Sequence, residues 1–150
     1  MGMPTQQIKD LAALDAFAQA FIAHHLQGGV FGLEGELGAG KTAFVRAVIH
    51  ALSKRSHKAP PRVISPTYVL HQFYETVPTV DHFDLYRLEN PTESTLLEVG
   101  YFEALDRGAR GGFVFVEWPE RLPQSASMVN VLVFQIAGEG RVVSGPAGAW

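Results

Sequence analysis

Gly35, Gly40, Lys41 and Thr42 fall within the run Gly-Glu-Leu-Gly-Ala-Gly-Lys-Thr, which satisfies the spacing G-x-x-x-x-G-K-[ST]. Residues of these types at this spacing are suited to gripping a chain of phosphates. The glycines let the backbone turn tightly and bring its N–H groups against phosphate oxygens. A helix starting near Lys41 would aim the positive end of its dipole at the same oxygens. Lys41 adds a charge for the β- and γ-phosphates of a nucleotide, and Thr42 adds a hydroxyl of the kind Mg²⁺ accepts. Glu36, Leu37, Gly38 and Ala39 inside the run, and Ala43 just after it, would complete the nucleotide-binding cradle. Four fixed positions can match by chance. Here, however, apolar Val30–Glu34 precedes the run and an amphipathic stretch, Lys41–Leu52, follows it, which is the strand–loop–helix context the motif requires.

A nucleotide-hydrolysing site built on such a loop needs an acid for the metal, usually at the tip of a neighbouring apolar strand. Phe113-Val114-Phe115-Val116-Glu117 has that form, and Glu117 is read as a metal ligand beside Thr42. The usual acid is Asp, and a charge at this point could also simply mark where a strand leaves the core. Asp84 is the second acid of interest. At a period of two it shares a strand face with His82, while Phe83 and Leu85 share the other. Asp84 could orient water near a γ-phosphate, or it could lie on a solvated face. Ser65-Pro66-Thr67-Tyr68 is a rigid turn with two hydroxyls. It could reach the γ-phosphate or the metal as a switch segment does, or it could be an ordinary strand start. Trp118 and Pro119 would cap the site or pack beside it.

Other polar clusters are less specific. His24, His25, His50, His57, His71 and His82 show no zinc-ligand spacing and are read as surface or packing residues. Lys54, Arg55, His57, Lys58 and Arg62 form the one basic cluster, read as a solvated loop.

The elements that must position these residues follow from periodicity and breakers. Asp10 is a helix cap, and Leu11, Leu14, Phe17, Ala18, Phe21 and Ile22 form one face of a helix running to about Leu26. Gly28-Gly29 ends that helix ahead of the strand Val30–Glu34. Ser53–Arg62 reads as a surface loop. Tyr68–Tyr74 and Val80–Tyr86 read as antiparallel strands, because their connection is too short for a helical crossover. Asn90-Pro91 reads as a helix start, with a break near Gly100. Phe113–Val116 reads as a buried strand, and Val129–Ile136 as another, turning through Gly138–Gly140 into Arg141–Val143. Strands alternating with helices predict an α/β protein: a P-loop NTPase-like three-layer sandwich around a mixed, mainly parallel sheet. One domain over 1–150 is expected, with a flexible tail from about residue 144.

Bulk composition agrees. The chain has 150 residues, 47% hydrophobic and 18% charged, an ordinary balance for a globular domain. It has no cysteine, which removes disulfides and thiolate metal sites. The formal charge of −3 argues against a broad nucleic-acid-coating surface. The absence of a bilayer-length apolar run or a signal-peptide pattern predicts a cytoplasmic protein.

Taken in order, GELGAGKT, SPTY at Ser65–Tyr68, HFDLYR at His82–Arg87 and VEWPER at Val116–Arg121 resemble the TsaE (YjeE) family, over about Val30 to Arg121. The resemblance implies an Mg²⁺-dependent ATPase, slow alone, which serves the bacterial machinery making threonylcarbamoyladenosine in tRNA. It implies TsaD and TsaB as partners, with tRNA reached only through the complex. It also implies that Lys41 binds phosphate, that Thr42 and Glu117 hold Mg²⁺, that Asp84 is needed for hydrolysis, and that Thr67 lies near the γ-phosphate. Many members carry a second hydroxyl where this chain has Ala43. Asp10–Ala18 occupies the region that members place near adenine but lacks their Thr/Ser and Gly pattern, so no adenine contacts are assigned. Without the resemblance, a small-molecule kinase and a nucleotide-dependent adaptor share the P-loop. A GTPase is disfavoured because Asn-Lys-x-Asp is missing.

Overall fold

The computed structural model describes residues 3–63, 70–128 and 130–150. Its centre is a seven-stranded sheet in the order β1-β7-β6-β2-β5-β4-β3. The strands are β1 (Thr5–Ile8), β2 (Gly29–Glu34), β3 (His71–Tyr74), β4 (Val80–Asp84), β5 (Phe113–Glu117), β6 (Val131–Ala137) and β7 (Gly140–Ser144). The four middle strands β6, β2, β5 and β4 run parallel. Both flanks are antiparallel: β3 on β4, and β7 on β6 with β1 beyond it. The sheet is thus mixed with a parallel centre, as expected. Strand β1 escaped the sequence reading because Thr-Gln-Gln-Ile is short and has no apolar alternation.

The helices are α1 (Leu11–His24), α2 (Lys41–Arg55), α3 (Glu93–Glu98) and α4 (Tyr101–Ala109). Strand β5 shows how the sequence sorts them onto two faces. Phe113 and Phe115 join the core beneath α1 and α2, whereas Val114 and Val116 join the one beneath α3 and α4. On the first face, Phe21 contacts Phe31 at 4.9 Å and Phe44 at 5.3 Å between ring centroids, and Phe44 contacts Phe115 at 5.6 Å. Each such buried ring stabilises the fold by about 1.5–3 kcal/mol through removal of apolar area from water. Phe44 thereby fixes the start of α2, and with it the loop that enters α2.

Asp10 caps α1 as expected, its side chain accepting from Ala13 N at 2.8 Å. Leu14, Phe17, Ala18, Phe21 and Ile22 are buried, whereas Leu11, expected on the same stripe, is 73% exposed. Helix α2 runs three residues beyond Leu52, into the segment expected to be loop. The helix expected at Asn90-Pro91 starts later. Asn90 has φ 47°, and Thr92 is the cap, in a reciprocal capping box with Thr95. Gly100, at φ 82°, does separate α3 from α4.

The tail beyond Ser144, expected to be flexible, is packed in this structure. Gly145 N donates to Pro4 O at 3.2 Å. His24 Nε2 and His25 Nε2 donate to the carbonyls of Gly148 and Ala149 at 2.8 and 2.6 Å. Trp150 meets Phe17 edge-on at 5.0 Å. The small residues Gly and Ala suggested fraying; Trp150, His24 at the end of α1 and His25 just after it supply the anchors.

Candidate functional site

Parallel register brings the predicted residues together. Leu33 pairs with Glu117 across β2–β5, and Asp84 pairs with Glu117 across β4–β5. The carboxyl ends of three neighbouring strands therefore meet where the loop from β2 to α2 begins, the place where open α/β sheets bind ligands. Lys41, Asp84 and Glu117 are only 4%, 4% and 3% exposed. Asp84 does not lie on a solvated face, and Glu117 is more than a strand end emerging into water.

The loop is shaped by backbone that side chains would block. Gly35 has φ +153°, and a Cβ there would lie 2.5 Å from the Phe134 carbonyl oxygen. Gly40 precedes α2 at φ +107°, in the left-handed region. Lys41 Nζ donates to the carbonyl of Gly35, and to that of Glu36 at 3.0 Å. It also sits 4.9 Å from the centroid of the Trp118 ring. Burial lowers the Lys41 pKa, opposed by the charges of Glu117, Asp84, Glu120 and Glu36.

Thr42 Oγ1 donates to Glu117 Oε2 at 2.9 Å, joining the first turn of α2 to the tip of β5. The same oxygen accepts from His82 Nε2 at 2.5 Å. Tyr86 N donates to Asp84 Oδ1 at 2.9 Å, and Leu85 N donates to Glu117 O at 3.1 Å, which holds the ends of β4 and β5 side by side. Trp118 takes φ 60°, and its ring lies 5.1 Å from that of Tyr86. Among the described residues no group of three or more His, Cys, Asp or Glu is placed to cage a metal. A hydroxyl and a carboxylate at the loop nonetheless fit Mg²⁺, which takes one or two protein oxygens and completes its shell with phosphates and water.

Lys41, Thr42, Asp84 and Glu117 share a cavity of about 530 Å³. It is lined by Leu37 to Ala43, Asp84 and Glu117, and also by Ile8, Asp10, Leu11, Leu14, Phe134, Arg141 and Val143. The second set was not assigned to the site from sequence, although Asp10, Leu11 and Leu14 fall in the Asp10–Ala18 stretch that the resemblance placed near adenine. It comes from β1, α1, β6 and β7, and only the sheet order brings it to the loop. Arg141 Nε and Nη2 both donate to Gly38 O, at 3.1 and 3.0 Å, tying the β6–β7 hairpin to the glycine-rich loop. Thr67 and the rest of Ser65–Tyr68 lie outside the described residues. Two histidines read as surface or packing residues are instead engaged with acids: His82 with Glu117, and His71 with Asp81 at 2.6 Å.

A parallel-centred α/β sheet, with a glycine-rich turn leading from a strand into a helix that opens Lys-Thr, defines the P-loop class of architecture. Comparison with known proteins narrows the class. The family model described as "Threonylcarbamoyl adenosine biosynthesis protein TsaE" matches residues 8–142, and the chain belongs to this family. The tRNA threonylcarbamoyladenosine biosynthesis protein TsaE of Rickettsia prowazekii is 37% identical over 106 residues, covering 69% of this chain and 66% of the relative. That of Synechocystis sp. is 33% identical over 121 residues, covering 80% and 73%. That of Haemophilus influenzae is 30% identical over 121 residues, covering 77% and 70%. The match spans less than two thirds of the first Rickettsia relatives, falling to 46% of the Rickettsia felis protein. The crystal structure of Bacillus subtilis YdiB superposes with a TM-score of 0.68 at 25% identity, covering 96% of this chain and 84% of that one.

Proposed function

We propose that this protein binds ATP and Mg²⁺ at the Gly35–Thr42 loop and hydrolyses ATP in the service of tRNA threonylcarbamoyladenosine formation, with TsaD and TsaB as partners. The observation that carries the reading is the Thr42 Oγ1 to Glu117 Oε2 contact of 2.9 Å, made in the lining of a cavity that Lys41 and Asp84 also line. Family membership supports the tRNA role.

Each residue has a defined task in this reading. Lys41, buried and already facing loop carbonyls, exchanges those acceptors for phosphate oxygens and contributes its charge to them. Thr42 and Glu117 hold the metal, which when bound neutralises phosphate charge. Asp84, beside Glu117 in the β4–β5 register, accepts a hydrogen bond from the attacking water and orients it. The first turn of α2 offers backbone N–H groups that have no helical acceptor of their own. Catalysis here is positioning and electrostatic stabilisation rather than covalent chemistry.

The test is ATP hydrolysis by the protein alone and with TsaD plus TsaB, each with Mg²⁺ and with EDTA. Slow Mg²⁺-dependent turnover that rises with the partners is expected. Turnover that is equally fast with and without them contradicts the coupling. Transfer of the γ-phosphate to a metabolite instead of water would establish a kinase, and ATP binding without hydrolysis under any condition an adaptor.

A further inference from the structure

We propose that His82 is a positioning residue for the metal-binding carboxylate, holding Glu117 Oε2 against the Thr42 hydroxyl through its Nε2–H; this rests on the Mg²⁺ reading above. Three observations carry it. His82 is fully buried on the β4 face that also carries Asp84, with Nε2 2.5 Å from Glu117 Oε2. Both side-chain donors to Glu117 among the described residues, His82 and Thr42, converge on that one oxygen. A carboxylate only accepts, so Nε2 carries the proton, and Glu117 Oε1 is left to other partners.

The third observation is the other ring nitrogen. His82 Nδ1 is buried with no hydrogen-bond partner among the described residues. A buried polar atom without a partner is unfavourable, and an apolar ring at this strand position would avoid it. Packing alone therefore does not account for a histidine here, and the bond made by Nε2 does. Its geometry is that of the outer-shell contacts that orient metal-binding carboxylates, whose loss typically weakens metal affinity about 10- to 100-fold.

His82→Gln and His82→Asn separate positioning from packing. The Gln amide nitrogen can occupy the place of Nε2, whereas Asn is one bond too short to reach Glu117. The full chain and both variants, with Glu117→Gln as reference, are titrated with Mg²⁺ at fixed ATP, and ATP affinity is measured separately in EDTA. Expected are metal-free ATP affinities of the two His82 variants within about twofold of wild type, an Mg²⁺ midpoint near wild type for His82→Gln, and one raised about tenfold for His82→Asn. Equal midpoints for the two variants, with Glu117→Gln shifted, overturn the role of His82 and leave the metal site standing. An unshifted midpoint in Glu117→Gln overturns the metal reading itself. Parallel losses of metal-free ATP affinity in both His82 variants would show a structural role instead and overturn the proposal.

Discussion

Single atoms at the site assign separate tasks to binding and to chemistry. Asp84 is buried beside Glu117 and accepts from Tyr86 N, so its placement is set by the backbone of its own strand end. Replacing it by Asn keeps the shape and removes the charge. Asp84→Asn should lower kcat for ATP hydrolysis about 100-fold or more while changing ATP affinity less than about threefold, checked by steady-state kinetics beside equilibrium binding. An affinity loss as large as the rate loss would place Asp84 in binding instead. That Lys41, Thr42 and Glu117 belong to one site was legible in sequence because each is marked locally, by a glycine-spaced motif or by an acid ending an apolar run, whereas Asp84 had no such mark and was assigned its role only by the family resemblance. The place of His82 was not legible. Its partner lies 35 residues away, and only the adjacency of β4 and β5 makes the pair. Period-two reading did place His82 on the Asp84 face, but strand order is a long-range fact that no local pattern carries.

Elements position the loop from two sides. Phe44 locks α2 onto the sheet, and the Phe134 region of β6 presses against Gly35. Gly35→Ala brings a Cβ within 2.5 Å of the Phe134 carbonyl, a backbone atom that cannot swing aside. It should destabilise the protein by about 1–3 kcal/mol and weaken ATP binding, read by chemical denaturation and by nucleotide titration. A stable variant with unchanged affinity would show that the loop tolerates a side chain there. On the opposite face, Asp81 is fully buried between Arg107 on α4, at 2.9 and 2.6 Å, and His71 on β3. Burial pushes the Asp81 pKa up, but hydrogen bonds and charge from Arg107 and His71 outweigh burial and hold it below the usual carboxylate value. The folded state thus gives up this proton more readily than the unfolded one. The stabilisation is complete above about pH 4, the unfolded carboxylate value, and is lost as pH falls through the depressed folded value. Asp81→Asn should cost about 3 kcal/mol near pH 7, at the low end for a buried pair because Arg107 is part-exposed. That deficit should shrink on acidification, as followed by urea unfolding from pH 7 to pH 3. A deficit independent of pH would mean that charge is not its source. The helix and strand cores were legible from 3.6- and 2-residue periodicity, whereas β1 and the tail anchors were not, because short polar edge strands and terminal contacts leave no periodic trace.

At the scale of the whole molecule, sheet order does what no segment does alone: it gathers β1, α1, the β6–β7 hairpin and the glycine-rich loop around one cavity. The expectation of a mixed α/β sheet followed from alternating elements, but the walls of that cavity beyond the loop did not, since Ile8 and Arg141 are 133 residues apart in sequence and only β1–β7 pairing joins them. No helix among the described residues is long and apolar enough to cross a membrane. A net charge of −3 argues against a surface that coats nucleic acid broadly. All of this depends on one claim, that the Gly35–Thr42 loop takes the phosphates of ATP. Hydrogen exchange with and without Mg²⁺–ATP, paired with ATP titration of wild type and Lys41→Ala, tests it directly. The account predicts slowed exchange across residues 35–43 and an affinity loss of about 10- to 100-fold in the variant, the worth of a hydrogen bond to a charged group. Unprotected loop amides together with equal affinities would contradict it.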